Sequence, residues 1–230
     1  MAILLLTRPA AASARTRARV LALRPGVRVV ESPVLEIVAV PVEPGSAPAG
    51  LILTSENGAE AAGALGFARG LRAWCVGART AEVAREAGLQ AASAEGDAEQ
   101  LLRLILSEPD AGPLLHLRGE HARGDIAPRL RAAGRQARDA VAYRQKERRL
   151  TAEARVALGG PEPVVLPLYS PRSAAILAAE GPFAAPLKVI AISAAAARPF
   201  EGVAEPAGIR VVAHPDGEAM LSAILDSLPA

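Results

Sequence analysis

Hydroxyls, glycines and arginines recur in this chain at one kind of place, just past a short apolar run and just before a helix-like stretch. They are Thr7 with Arg8, Thr54 with Ser55, Gly77 with Thr80, Arg118 with Gly119, Ser170 with Ser173, and Ser193. Asn57, Arg172 and Lys188 stand close by in sequence. In open α/β sheets, ligands bind beyond the carboxyl ends of the strands. Helix N-termini there offer unpaired N–H groups and partial positive charge, which favour anions. The chemistry within reach of such a set is the holding of carboxylates or phosphates. Singly, Thr54, Thr80 and Ser170 read as plain helix caps. Taken together, and duplicated along the chain, the set points to one polyanion held between two domains.

Other chemistry is thinly supplied. GxGxxG after a strand, GxxxxGK[ST] and GxSxG are all absent. His116, His121 and His214 are scattered, with no zinc-site spacing. His116 lies inside an apolar run and reads as a satisfied core residue, whereas His121 reads as part of a solvated loop. The single cysteine, Cys75, permits no internal disulfide and no cysteine-rich metal site, and reads as a small buried hydrophobe.

The elements that must position these residues follow from composition and periodicity. At 230 residues the chain fits one or two domains, and 51% hydrophobic with 22% charged residues excludes a wholly disordered chain. Aromatics are only 3%, so the core is aliphatic. No apolar run approaches the ~20 residues of a membrane helix, and the opening AILLL at 2–6 reads as a buried strand rather than a signal peptide. A cytoplasmic location is the default. With a net charge of +2, the chain admits an anionic small molecule but makes no case for nucleic acid. Lys146 and Lys188 are the only lysines. The arginine bias suits carboxylate recognition, and it follows equally from a GC-rich genome.

Apolar runs at 2–6, 27–31, 50–54, 72–76, 89–92, 113–117, 136–142, 163–168, 187–191 and 209–213 alternate with alanine-rich helical stretches. Continuous apolar runs of this length suit parallel strands covered on both faces, hence an α/β fold. Asn57 with Glu60, and Asp97 with Gln100, have capping-box spacing. Thr80 is expected to cap a helix over 81–87 ending at Gly88, and Ser170 one that opens at Pro171 and stops at Gly181. Halves 1–110 and 113–230 share the order of their features, down to 86–89 aligning with 206–209. Residues 34–42, followed by a breaker cluster at 43–48, and 140–146 in the second half break the rhythm. Such a pair of extended segments suits strands that join two domains.

Taken in order, LLLTRP at 4–9, SPVLEI at 32–37, LILTSENGAEA at 51–61, CVGARTAEVAREAG at 75–88, LLHLRGEHARGDIAPRLRAAG at 114–134, AVAYR at 140–144 and YSPRSA at 169–174 resemble the uroporphyrinogen-III synthase family over essentially the whole chain. The resemblance implies two flavodoxin-like α/β domains. Each would be a parallel five-stranded sheet flanked by helices, and the two would be joined by a two-stranded antiparallel linker. Mapped here, residues 1–36 with 147–230 form one domain, 42–140 the other, and 37–41 with 141–146 the linker strands.

The resemblance implies cyclisation of hydroxymethylbilane, a linear tetrapyrrole carrying eight carboxylates, to uroporphyrinogen III with loss of water. Departure of the ring-A hydroxyl leaves an azafulvene, and attack by the substituted carbon of ring D gives a spiro intermediate that recloses with ring D inverted. The task is mainly one of orientation, with acid help for the leaving hydroxyl. No metal or organic cofactor is implied. Tyr143 is the residue expected to assist the hydroxyl, by hydrogen bonding rather than full proton transfer, since a phenol is a weak acid at neutral pH. It reads equally as an aromatic packed on a linker strand. Thr7, Ser55, Asn57, Gly77, Thr80, Gly119, Ser170, Ser173 and Ser193 would bind carboxylates, with Arg8, Arg118, Arg172 and Lys188 adding charge or serving as ordinary surface cations. Where the family has a second GxxTA-like motif, this chain has Ala196 in place of threonine, with Pro199 cutting the next helix short. A non-catalytic tetrapyrrole-binding module of the same fold is the alternative that Ala196 favours. A monomer is expected, with transient contact with the enzyme that supplies the bilane and no membrane partner.

Overall fold

A computed structural model describes the chain except for residues 1, 44, 68, 110, 111, 122, 123, 206, 207 and 230. Pro44 of the breaker cluster, Ala122 and Arg123 of the 114–134 motif, and Pro206 and Ala207 of the aligned halves therefore lie outside the described residues. In chain order the strands are β1 (Ile3–Leu6), β2 (Arg28–Glu31), β3 (Leu35–Ala39), β4 (Gly50–Leu53), β5 (Arg72–Cys75), β6 (Gln90–Ser93), β7 (Leu114–Gly119), β8 (Ala137–Glu147), β9 (Val164–Leu168), β10 (Leu187–Ala191) and β11 (Ile209–Val211). The helices are α1 (Ala10–Leu23), α2 (Glu56–Ala64), α3 (Ala78–Glu86), α4 (Ala98–Ser107), α5 (Ile126–Ala132), α6 (Ala152–Gly159), α7 (Pro171–Ala178), α8 (Ala194–Ala197) and α9 (Gly217–Ser227).

Two compact units result, Met1–Glu36 with Lys146–Ala230, and Ile37–Gln145. The first holds a parallel sheet ordered β11-β10-β9-β1-β2. Counted by its own strands this is 2-1-3-4-5, with the order reversing between β1 and β9. Alternation along each strand covers both faces. Ile3 and Leu5 join a cluster with Phe200, Leu166 and Val189, while Leu4 and Leu6 join one with Val20, Val165, Met220 and Ile224. Burying both faces is what turns these strands into unbroken apolar runs.

The second sheet is ordered β3-β8-β7-β4-β5-β6. Its parallel strands, β4 to β8, follow the other doubly wound order, 3-2-1-4-5, and the reversal lies between β4 and β7. The sheet has a sixth strand beyond the five expected, because β3 pairs with β8. Arg148 N–H donates to the Val34 carbonyl and Val40 N–H to that of Ala142, so the chain advances on one strand as it retreats on the other, an antiparallel ladder. That pairing carries β8 to Glu147, past the end of the 136–142 run. The sheet's two faces again form separate clusters, Leu51, Leu53, Leu115 and Leu117 on the α2–α3 side and Ile52, Trp74, Leu101, Ile126 and Leu130 on the α4–α5 side.

Helix boundaries correct three expectations. Ser55, not Asn57, caps α2: its hydroxyl accepts the Gly58 N–H, and Asn57 lies within the first turn. Gly77 is the N-cap of α3, so Thr80 sits at the third helical position, buried, and caps nothing. Helix α7 ends at Ala178, and Gly181 N–H reaches back to the Ala178 carbonyl from beyond it. The capping box of Asp97 and Gln100 is present, as is the Ser170 cap with Pro171 at the first helical position.

Candidate functional site

At the order reversal of the second sheet, adjacent strands lead to helices on opposite faces, and in open α/β sheets ligands bind beyond the carboxyl ends at such a point. Thr54 and Ser55 follow β4 here, and Arg118 and Gly119 end β7. Tyr143 joins them through a fault in the ladder. Along β7 and β8 the pairing runs Arg118 with Val141 and then Gly119 with Tyr143, so Ala142 is one residue too many. An extra residue reverses the inside–outside alternation beyond it. In an unbroken register Ala142 would pair with Gly119 and Tyr143 would share the face of Asp139; Ala142 as an extra residue prevents that. With it, Tyr143 packs among Leu117, Leu53 and Ala59 on the α2–α3 side.

There the Tyr143 hydroxyl lies 2.8 Å from Ser55 Oγ. Ser55 Oγ already accepts the Gly58 N–H at 3.1 Å, so its remaining proton and lone pair face the phenol. Two glycines make the approach possible. A Cβ on Gly119 would stand 2.7 Å from the Tyr143 ring, and one on Gly58 would stand 2.8 Å from the Leu117 carbonyl oxygen. Tyr143 is only 7% exposed, so its ring is held and its hydroxyl end is the part that meets Ser55.

On the opposite face the same strand ends build a second constellation. His116 is 1% exposed. Its Nδ1 lies 2.9 Å from Asp139 Oδ1 and its Nε2 lies 3.1 Å from Thr54 Oγ1. Burial holds this imidazole below its ordinary value of 6.5, with Asp139 pulling the other way. An ionised Asp139 only accepts, so Nδ1 carries the proton and Nε2 accepts from the Thr54 hydroxyl. Arg118, expected among the anion ligands, places Nε 3.4 Å from Asp139 and donates to the Gly119 and Glu120 carbonyls.

The first unit repeats the placement. Thr7 and Arg8 follow β1, and Tyr169 and Ser170 follow β9, at the reversal of that sheet. The Arg8 guanidinium lies 4.1 Å from the centroid of the Tyr169 ring. Burial pushes the Tyr169 phenol up, against the pull of Arg8. Thr7 is buried. Ser170 donates to Ser173 Oγ at 2.9 Å and accepts the Ser173 N–H, so this pair is engaged with itself. Ser193 caps α8 at the end of β10. Arg172 Nη2 lies 3.8 Å from Glu147. Lys188 belongs elsewhere. It sits at the second position of β10, about 15 Å of strand before Ser193, and its Nζ donates to the Ser227 carbonyl.

The paired GxxTA-like motifs prove structurally equivalent. Thr80 follows the cap Gly77 by three, and Ala196 follows the cap Ser193 by three; both side chains are buried. Position 196 faces the core beside Phe200, so the hydroxyl it lacks is not one that a surface ligand would meet. Cys75 is buried and its thiol is pushed up to about 12, which makes it inert. Among the described residues, no group of three or more His, Cys, Asp or Glu side chains is arranged to hold a metal ion. Nor is any helix among them long and apolar enough to cross a membrane.

Sequence reasoning placed Ser55, Gly119 and Tyr143 together in kind but missed Thr54 and Asp139 as partners of His116. The available signal was that 54 and 116 share parity on neighbouring strands, which needs the register to be read.

Two doubly wound parallel sheets flanked by helices, with hydroxyls gathered beyond the strands' carboxyl ends, define an α/β protein. The family model described as "Uroporphyrinogen-III synthase HemD" matches residues 18–222, and the chain belongs to that family. Among solved structures, the uroporphyrinogen-III synthetase of Helicobacter pylori is similar at 17% identity with a TM-score of 0.63, covering 97% of this chain and 98% of that one. A mutant uroporphyrinogen III synthase of Thermus thermophilus is similar at 15% identity with a TM-score of 0.50, covering 98% and 96%. These likenesses bear on the fold. No curated protein sequence matches significantly.

Proposed function

We propose that this chain catalyses the cyclisation of hydroxymethylbilane to uroporphyrinogen III, a lyase reaction of haem biosynthesis, with Tyr143 assisting departure of the ring-A hydroxyl. The observation that carries the role of Tyr143 is its 2.8 Å hydrogen bond to Ser55 at the reversal of the second sheet. Because Ser55 already accepts a backbone N–H, the arrangement with the Ser55 O–H donating to Tyr143 leaves the phenolic O–H free to donate to the leaving group. Ser55 thereby serves Tyr143, and its share in holding carboxylate is correspondingly small.

Carboxylates of the substrate are bound by backbone N–H groups at the starts of α2, α3 and α7, near Asn57, Gly77 and Ser173, with Ser173 and Ser193 contributing hydroxyls, since Ser170 spends its proton on Ser173. Arg8, held over the Tyr169 ring, and Arg172 supply charge. The geometry supports no substrate contact for Lys188, and the burial of Thr7 and Thr80 leaves them to packing. We read the first unit as flavodoxin-like and the second as its doubly wound relative, with residues 37–41 and 141–146 as linker strands and the enzyme as a cytoplasmic monomer.

The test is to supply freshly generated hydroxymethylbilane to the purified protein, oxidise the products and separate the porphyrin isomers. Type III in excess over a no-enzyme control is the expected result. Type I alone, beside an active control enzyme, would overturn it, and tight tetrapyrrole binding in that case would identify a non-catalytic binding module.

A further inference from the structure

Losing the ring-A hydroxyl to form an azafulvene requires two proton movements: one proton reaches the departing oxygen and one leaves the ring nitrogen. Tyr143 answers the first. The second needs an acceptor at the same strand end, and the buried constellation on the other face of the second sheet has the form of one.

Its hydrogen bonds have a fixed direction. Asp139 Oδ1 takes the Nδ1 proton of His116 at 2.9 Å, which leaves Nε2 to accept the Thr54 hydroxyl proton at 3.1 Å. With its only proton committed inward, Thr54 Oγ1 presents lone pairs alone to whatever stands beyond the strand. It cannot donate to a carboxylate, so it does not belong to the carboxylate-binding set. It suits an N–H donor, which a linear tetrapyrrole carries on every ring. Thr54 is half-buried, while His116 is shut away from water, so a proton reaches the imidazole by way of Thr54.

We propose that Thr54, backed by His116 and Asp139, is the proton acceptor for the ring-A pyrrole N–H, the counterpart across the end of β4 to the acid at Tyr143. The inference rests on the synthase reading. As the C–O bond breaks, its electron pair leaves with the hydroxyl, which takes the Tyr143 proton and departs as water. The ring N–H proton passes to Thr54 Oγ1 while the Thr54 proton passes to His116 Nε2, giving an imidazolium paired with Asp139. When ring D attacks the azafulvene, the ring-A nitrogen recovers its proton along the same route. The proton lost as the last ring regains aromaticity returns to the Tyr143 phenolate. Substrate plus enzyme thus becomes product, water and the starting enzyme.

Asp139 and Arg118 are the charged groups that act on His116, and the helices packed on that face bring Leu101, Ile105, Ile126 and Leu130. Burial and Arg118 disfavour the imidazolium, and Asp139 favours it. The imidazole is therefore neutral and ready to accept at neutral pH.

The experiment compares the wild-type chain with Thr54→Val, Thr54→Ser and Asp139→Asn in single-turnover and steady-state cyclisation across pH. Thr54→Val, which keeps shape and removes the acceptor, is expected to lower kcat by about tenfold or more with KM within about twofold. Thr54→Ser is expected to recover most of the rate, which a purely packing role would not produce. The acid limb of kcat should lie below 6.5 and move further down in Asp139→Asn, because the carboxylate that supports the imidazolium is gone. Nitrogen-15 spectra of the resting enzyme, independent of turnover, should show the His116 proton on Nδ1. Wild-type kcat in a folded Thr54→Val, an acid limb unmoved in Asp139→Asn, or a proton on Nε2 would each overturn the relay while leaving the synthase reading intact. A wild-type chain yielding only type I isomer would overturn the synthase reading and the relay with it.

Discussion

Tyr143 sits within tight confines, and the consequences of its proposed role can be measured residue by residue. Tyr143→Phe removes the donor and keeps the ring, so turnover should fall several-fold with the melting temperature unchanged. An unchanged turnover number would remove the phenol from the mechanism. Gly119→Ala tests position instead of chemistry. The new methyl would meet the Tyr143 ring at 2.7 Å, and a displacement of about 1 Å at a reacting group is enough to cost roughly 100-fold in rate. Ser55→Ala should weaken folding by about 1 kcal/mol as the α2 cap is lost, read by urea denaturation, and slow turnover besides. His116 sets a pH dependence of its own. Its folded value lies below 6.5, so the unfolded chain binds more protons as pH drops beneath that point. Stability is then full above 6.5 and is lost progressively below it, and His116→Gln should flatten the profile of unfolding free energy. Sequence parity alone could not pair His116 with Thr54 or Asp139, because 62 and 23 residues separate them.

Elements were the most legible scale, and the misreadings share one cause. Apolar runs located the strands because both faces of each sheet are covered, and cap residues located two of the four helix starts read from them. The exceptions are Asn57 and Thr80, each a residue with cap chemistry placed two or three positions inside a helix. What decided them was where the preceding strand ends: Ser55 and Gly77 come first after β4 and β5 and take the extended cap conformation. The extra residue at Ala142 is likewise invisible in sequence, since AVAYR contains no glycine and alternates without interruption. At α4 the Asp97 capping box is remote from the strand-end residues. Asp97→Ala should cost about 1 kcal/mol in urea denaturation and leave turnover alone.

For the whole molecule, two units with separate cores imply separable stability. Phe200 is fully buried in the first unit, and Phe200→Ala should cost about 3–5 kcal/mol there. Amide exchange should then quicken in β1, β9 and β10 and remain slow in β4 and β7, whereas uniform loss of protection would show one cooperative unit. The sequence by itself determined the alternation of strand and helix, the aliphatic core and the strand-end positions of the hydroxyls, because hydrophobic periodicity and capping are local. Its motifs, in order, also carried the likeness to the synthase family. Only the tertiary structure decided which strand lies beside which, hence that Ser55 meets Tyr143, that His116 bridges Thr54 and Asp139, that Thr80 and Ala196 face their cores, and that Lys188 stands at the wrong end of its strand. Those contacts join residues far apart in the chain, and they depend on register and on one inserted residue that no local pattern encodes.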